Sequence, residues 1–184
     1  VSQTAFLYPY IQLKEAAFST SKGAIFLNIE NKFLKNFQAR NVFGVIKARK
    51  ETDKTIIISA HYDHLGRMGR NTYFPGANDN ASGNGMLLSL AEKLLLKPLK
   101  KYNVIFIAFA AEEAGLIGSE FMVENPILPL KDIRFLLNLD IMGSGEEGVT
   151  VINETLFDKE FQLRCKLKNR KKAIKQIKPR GPAA

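Results

Sequence analysis

The stretch Asn103-Val104-Ile105-Phe106-Ile107-Ala108-Phe109-Ala110 is followed directly by Ala111-Glu112-Glu113-Ala114-Gly115. The apolar run is typical of a strand that is buried on both faces, as parallel strands in α/β proteins are. Such proteins build their sites at the carboxyl ends of strands. Adjacent glutamates point in different directions, so one can bind a cation while the other handles a proton. We therefore predict that Glu112 and Glu113 belong to a site.

Three further segments place similar residues at comparable positions. Residues 56–64 read Ile-Ile-Ile-Ser-Ala-His-Tyr-Asp-His, residues 76–83 read Gly-Ala-Asn-Asp-Asn-Ala-Ser-Gly, and residues 136–143 read Leu-Leu-Asn-Leu-Asp-Ile-Met-Gly. Each segment puts His or Asp at the end of a predicted strand or in a Gly-rich turn. The four segments together favour a functional site over a set of unrelated surface carboxylates.

The order of apolar segments predicts an α/β fold. We expect a predominantly parallel or mixed central sheet with helices on both faces, in a single domain over residues 1–184. The predicted strands are 24–29, 41–48, 55–60, 103–110 and 133–139, of which the first two form an antiparallel pair and the last three are buried. The predicted helices are 85–96 and 116–124, and further elements are expected at 148–152 and 173–177.

Composition limits the class of protein. The chain has 184 residues with 46% hydrophobic and 24% charged content, which suffices for one substantial core. No apolar run approaches the ~20 residues that span a bilayer, so we predict no membrane span. The single cysteine, Cys165, excludes a disulfide within these residues and a thiolate metal cluster.

The net charge of +9 comes from one segment. Residues 159–180 carry ten of the 27 basic side chains and only one of the 18 acidic ones, so the rest of the chain is neutral. A basic segment can attract nucleic acid or an anionic membrane surface. Apolar residues alternate with these charges, and no nucleic-acid-binding motif accompanies them, so we favour a helix with one packed side and one solvated side. We predict no nucleic-acid partner.

The histidine and carboxylate pattern is typical of a metal centre. His61 follows a strand, and Asp63 is placed to fix its tautomer, so that the other ring nitrogen can face a metal. Asp79 lies in a Gly-rich loop that can hold a bridging carboxylate, although a turn or helix-cap role is equally compatible with the pattern. Asp140 ends an apolar strand, where an unpaired carboxylate is costly. Histidine with several carboxylates suits zinc, and in particular two ions ~3.5–4 Å apart.

These segments resemble the four ordered motifs of the secreted di-zinc aminopeptidase family. The motifs are residues 60–64, 76–83, 112–119 and 138–143, and the resemblance covers residues 41–143. The family also includes bacterial leucyl aminopeptidases, glutamate carboxypeptidases, glutaminyl cyclases and the non-enzymatic ectodomain of transferrin receptors. The resemblance implies a zinc-exopeptidase-like fold and two zinc ions.

The resemblance also implies individual roles. His61 and Asp140 would hold one zinc ion, Glu113 would hold the other, and Asp79 would bridge them. Among the catalytic residues, Glu112 would be the general base on a metal-bound water, and Asp63 would orient His61. His64 matches a position without a ligand role, so we interpret it as a pocket-wall residue.

One departure concerns the last ligand. The family takes its fifth ligand from a second histidine in a Ser-Asp-His-like stretch far toward the C-terminus, and no histidine follows His64 here. Residues 178–182 resemble the approach to that stretch. The resemblance therefore implies that the C-terminal part is missing and that this chain alone is inactive. It also implies self-association through the sheet edge that the missing part would cover.

The function favoured by these residues is a zinc-dependent exopeptidase. An aminopeptidase that hydrolyses the N-terminal peptide bond through a metal-bound water is our principal hypothesis, with a peptide as substrate. The alternatives are a catalytically incomplete binding or scaffold member of the same fold and a glutaminyl cyclase-like acyltransferase. The resemblance implies a periplasmic or secreted location.

Overall fold

The structure is a computed structural model that describes residues 36–143, 149–152 and 177–180, together with Phe26, Asn28 and Leu34. Contacts divide the chain into two units, Val1–Ala39 and Arg40–Ala184, and the elements given below belong to the second. The single domain over residues 1–184 stays a prediction. The predicted strand 24–29 lies largely outside the described residues, as do Cys165 and residues 153–176 of the basic segment.

Eight strands, two α-helices and a short 3-10 helix at Leu130–Asp132 are described. The strands are β1 (Val42–Ile46), β2 (Thr55–His61), β3 (Arg67–Met68), β4 (Thr72–Tyr73), β5 (Asn103–Phe109), β6 (Ile133–Asn138), β7 (Val149–Ile152) and β8 (Ile177–Arg180). The helices are α1 (Gly83–Leu96) and α2 (Ile117–Glu124). Most predicted elements in the described part of the chain begin and end within two residues of these bounds. The exceptions are β3 and β4, which were not predicted, and β8, which begins where the element predicted at 173–177 ends.

Four strands form the central sheet, in the order β1–β5–β2–β6. Strand β2 runs parallel to both β5 and β6, whereas β1 runs antiparallel to β5. This confirms the predicted α/β class with a mixed sheet. Because β2, β5 and β6 are parallel, their carboxyl ends lie at the same edge of the sheet.

The two helices cover opposite faces of this sheet. Alternate side chains of β2 and β5 point to opposite faces because a strand has a period of two. One face packs against Leu87 of α1, and the other packs against Met122 of α2. The first core contains Ile58, Ala60, Val104, Phe106 and Leu139, and the second contains Ile57, Ile105, Ile107 and Phe109.

Strand β6 is less buried than its sequence predicts. Its side chains alternate between half-buried and exposed, and Leu136 is 45% exposed. In the described sheet β6 has a single neighbour, β2, so it is an edge strand. The expectation of a fully buried strand at 133–139 is therefore wrong for the described residues.

The remaining strands form two small sheets. Strands β3 and β4 are an antiparallel hairpin between the first two motifs, and β7 pairs in parallel with β8. Strand β8 lies at the end of the basic segment, and the helix favoured for that segment falls on residues outside those that the structure describes. Among the described residues, neither helix combines the length and the apolar character that crossing a bilayer requires.

Candidate metal and catalytic site

The candidate site lies at the carboxyl edge of the central sheet. His61 is the last residue of β2, Glu112 and Glu113 follow β5, and Asp140 follows β6. Asp79 lies in the turn Ala77–Ser82 that leads into α1. The parallel arrangement of the three strands therefore brings together residues that are far apart in the sequence.

A first group of metal-binding atoms surrounds the imidazole of His61. Its Nε2 atom lies 3.0 Å from Asp79 Oδ1 and 3.5 Å from Asp140 Oδ1. The three donor atoms lie within 4.8 Å of one another, which is close enough to bind one ion. The His61 side chain is 4% exposed and both aspartates are 43% exposed, so the group opens to solvent on its carboxylate side.

A second group shares Asp79 with the first. It consists of His64, Asp79 and Glu113, whose donor atoms also lie within 4.8 Å of one another. His64 Nδ1 is 2.7 Å from Glu113 Oε1, and both side chains are 22% exposed. The carboxylate of Asp79 is thus placed between the two groups, as a bridging ligand would be.

The carboxylate of Glu112 faces the first group. Its Oε2 atom lies 3.9 Å from His61 Nε2. Burial raises the pKa of Glu112; His61 opposes this effect, while the nearby carboxylates of Glu113, Asp140 and Asp63 reinforce it. A carboxylate with a raised pKa is better matched to proton transfer near neutral pH.

The imidazole of His61 has an electrostatic environment that favours its charged form. Burial lowers the pKa of His61, but the carboxylate of Glu112, the bond to the Asp63 carbonyl and the carboxylates of Asp140 and Asp79 outweigh burial and raise it above the ordinary value. Three carboxylates therefore face His61, and a bound cation would neutralise their charge.

Asp63 contacts the site differently from the sequence-based expectation. The backbone carbonyl of Asp63, rather than its carboxylate, lies 3.1 Å from His61 Nδ1. The carboxylate is 3.8 Å from this nitrogen and instead accepts the backbone N–H groups of Glu112 at 3.0 Å and Glu113 at 3.1 Å. The carbonyl fixes the tautomer of His61, and the side chain anchors the turn that carries both glutamates.

Hydrogen bonds from the loop 76–83 hold the segment that carries Asp140. The residue after Asp140, Ile141, has φ 51°, in the left-handed region that β-branched residues rarely adopt. Three bonds hold this conformation: Asn80 Nδ2 donates to the Leu139 carbonyl at 3.0 Å, Met142 N–H donates to Ser82 Oγ at 2.8 Å, and Gly143 N–H donates to Asn78 Oδ1 at 2.7 Å. The loop thereby fixes Asp79 and Asp140 relative to each other.

The exposure of Asp140 corrects one argument from the sequence. An unpaired carboxylate in an apolar interior would be costly, but the side chain of Asp140 is 43% exposed. Desolvation therefore does not require a metal here. The case for a cation rests on the distances within the two groups.

The family of this chain follows from a sequence comparison. The model of peptidase family M28 matches residues 41–182, and these residues make up most of the chain. The chain belongs to peptidase family M28.

Individual relatives have similar sequences and folds. Aminopeptidase YwaD of Bacillus subtilis is 36% identical over 67% of this chain and 26% of its own length. The "Probable lipoprotein aminopeptidase LpqL" of Mycobacterium tuberculosis is 36% identical over 61% of this chain and 21% of its own length. The solved structure of BSAP, a zinc aminopeptidase from Bacillus subtilis, has a TM-score of 0.58 and 27% identity, covering 77% of this chain and 34% of that chain. The matched region spans about a quarter of the length of the curated relatives.

The structure brings together all six site residues predicted from the sequence, and their roles in this M28 member stay predictions. Two features were not predicted. The first is the bond between His64 and Glu113, which is compatible with the interpretation of His64 as a pocket-wall residue. The second is the set of hydrogen bonds from Asn80 and Ser82 to the segment after β6, because those partners lie beyond the reach of local sequence patterns.

Proposed function

We propose that this chain carries the metal-binding and catalytic residues of a zinc-dependent aminopeptidase that hydrolyses the N-terminal peptide bond of peptides. The observation that carries the proposal is the pair of three-donor groups that share Asp79, with Glu112 beside them. Names of relatives, an aminopeptidase and a zinc aminopeptidase, support the same function.

The donor atoms suit zinc. His61 Nε2 faces the carboxylates because the Asp63 carbonyl occupies the side of the other ring nitrogen. Imidazole nitrogen combined with carboxylate oxygen is a common zinc ligand set. His61, Asp79 and Asp140 would hold one ion, and Asp79 with Glu113 would hold the second. Zinc bound there would polarise the scissile carbonyl and lower the pKa of a water molecule.

The proton-transfer role falls to Glu112. Its carboxylate lies beside the first group, where it could accept a proton from water and later donate it to the leaving amine. Asp63 holds the backbone of Glu112, so the carboxylate stays aimed at the same point.

Selective hydrolysis assays on the full-length protein test the proposal. Aminoacyl anilides should be hydrolysed, a chelator should abolish hydrolysis, and added zinc should restore it. Glutaminyl peptides should not be cyclised. No hydrolysis by the zinc-loaded protein would favour a scaffold function, and cyclisation without hydrolysis would favour the acyltransferase.

We also propose a location outside the cytoplasm. The relative from Mycobacterium tuberculosis, which is named as a lipoprotein aminopeptidase, supports this location. Fractionation of the source cells, followed by detection of the protein, tests it, and recovery in the cytoplasmic fraction alone would contradict it.

A further inference from the structure

We propose that Asn41 is a positioning residue for the proposed hydrolysis, because its side chain holds both ends of the loop that carries Glu112 and Glu113. This segment, residues 110–116, joins β5 to α2 and forms the glutamate loop. The inference rests on the proposed function. Asn41 directly precedes β1 and lies outside the four motifs, so neither the motifs nor the two groups of metal-binding atoms assign it a role.

The amide group of Asn41 forms one hydrogen bond at each end of the glutamate loop. Asn41 Oδ1 accepts the backbone N–H of Ala110 at 3.0 Å, and Asn41 Nδ2 donates to the backbone carbonyl of Gly118 at 2.7 Å. Ala110 is the first residue of the loop, and Gly118 lies in the first turn of α2. Because one planar amide bonds both residues, it fixes the start of the loop relative to the helix that follows it.

The close approach of these three residues requires glycine at position 118. A Cβ atom placed on Gly118 would overlap the carbonyl oxygen of Ala110 and lie 2.6 Å from Asn41 Oδ1. Glycine is unfavourable inside a helix. Its presence here lets the start of α2 approach Ala110 closely enough for Asn41 to bond both.

The backbone of the glutamate loop needs support at its ends. Ala111 has φ 55° and Leu116 has φ 63°, both in the left-handed region that residues with a side chain rarely adopt. Such conformations persist only where the surrounding structure holds them. Asn41 bonds the residue before Ala111 and the second residue after Leu116, whereas Asp63 bonds the two glutamates between them. Loss of the Asn41 bonds would let the loop relax and move the Glu112 carboxylate away from the first group.

Asn103 forms the same kind of bridge at the other end of β5 and supplies a matched control. Its Oδ1 atom accepts the backbone N–H of Ala48 at 3.0 Å, and its Nδ2 atom donates to the carbonyl of Thr52 at 2.9 Å. Strand β5 has seven residues, which span about 20 Å at ~3.3 Å per residue, so this bridge lies far from the glutamate loop. Asn103→Ala therefore removes the same two types of hydrogen bond as Asn41→Ala without touching the site.

The test measures KM, urea unfolding and kcat per bound zinc ion for the zinc-loaded full-length protein, with an aminoacyl anilide as substrate. Asn41→Ala should lower kcat by about 10–100-fold, the range typical of residues that orient a group in a site, and should leave KM close to that of the wild type. A loss confined to kcat is expected because Glu112 acts in the transition state rather than in substrate binding. Asn103→Ala should be destabilised to a similar extent and should keep the kcat and KM of the wild type.

Equal losses of kcat in the two variants, or a wild-type kcat in Asn41→Ala, would show that Asn41 only stabilises the fold and would overturn the inference, while the proposed function survives. If Asn41→Ala does not fold, Asn41→Asp and Asn103→Asp make the same comparison, because aspartate keeps the acceptor oxygen and loses the donor NH₂ group. A zinc-loaded wild type that hydrolyses no anilide would overturn the proposed function and this inference together.

Discussion

Asp63 Oδ1 accepts the backbone N–H of Glu112 at 3.0 Å, although the two residues are 49 positions apart in the sequence. This bond joins the end of β2 to the end of β5 at the point where the candidate site forms. The side chain of Asp63 therefore controls the orientation of both glutamates rather than that of His61. Its replacement should disturb the site without removing a ligand.

Asp63→Asn should lower metal affinity and hydrolysis by about 10–100-fold, the range typical of residues that orient ligands. The asparagine amide keeps one oxygen that can accept a backbone N–H. Its NH₂ group would face the other backbone N–H, and two donors cannot form a hydrogen bond. Titration with zinc and steady-state kinetics measure the effect. His61→Ala, which removes a donor atom, should be more severe. Kinetics and affinity equal to the wild type would show that the anchor is dispensable.

Glu112→Gln should slow hydrolysis by ~10²–10⁴-fold, because the amide keeps the size of the side chain but cannot accept the proton. Its metal content should stay close to that of the wild type. Parallel measurements of turnover and bound zinc separate the two effects. Loss of metal with full activity per bound zinc ion would mean that the glutamate roles are reversed.

Glu113→Gln should lower the metal content, in contrast to Glu112→Gln. It removes a carboxylate from the second group, so one zinc ion should be released while the first group keeps its three donors. Elemental analysis after dialysis against a weak chelator measures the stoichiometry. Retention of two ions per chain would exclude Glu113 as a ligand.

Asn80→Ala should destabilise the protein by ~1–3 kcal/mol, the range for leaving a buried polar group without its partner. Asn80 is 2% exposed, donates to the Leu139 carbonyl and accepts the N–H of Gly83. Urea unfolding measures the change. Asn125→Ala, at an exposed helix end, is the control and should change the free energy of unfolding much less. Equal effects in the two variants would refute the structural role of Asn80.

The stability of the metal-free protein should respond to pH through Glu112. Its pKa in the folded state lies above the ordinary value of 4.5, so the folded protein binds this proton more tightly than the unfolded chain does. The resulting stabilisation is complete below the ordinary pKa and is lost as pH rises through the raised pKa.

Urea unfolding in chelator, at a series of pH values, compares the wild type with Glu112→Gln. The wild type should lose stability relative to the variant as pH rises above 4.5. A constant difference, or one of opposite sign, would contradict the shifted pKa. His61 should act in the same direction at higher pH, since its pKa also lies above the ordinary value.

The sequence predicted the sheet well because its signals are local. Continuous apolar runs marked β2 and β5, and leucine spacing marked α1. Burial of β6 was predicted wrongly, because an apolar run does not reveal how many neighbours a strand has. The four motifs predicted that their histidine and carboxylate side chains lie close together, because the carboxyl ends of parallel strands meet at one edge of the sheet.

Contacts between distant segments could not be predicted in the same way. The bond between Asn80 and the Leu139 carbonyl, and that between Asp63 and the backbone of Glu112, depend on tertiary distances. The contact of His64 is of the same kind, because its neighbour Glu113 is 49 residues away and joins it only in the folded chain. The hydrogen-bond partners of these side chains could therefore be identified only from the structure, whereas the location of the site could be predicted from the sequence.

The central claim is that two metal ions share Asp79. Anomalous diffraction at the zinc absorption edge, from crystals of the zinc-loaded full-length protein, tests it most directly. The account predicts two peaks ~3.5–4 Å apart, one beside His61 and Asp140 and the other beside Glu113, with Asp79 in contact with both. A single peak, or peaks that do not contact Asp79, would contradict it.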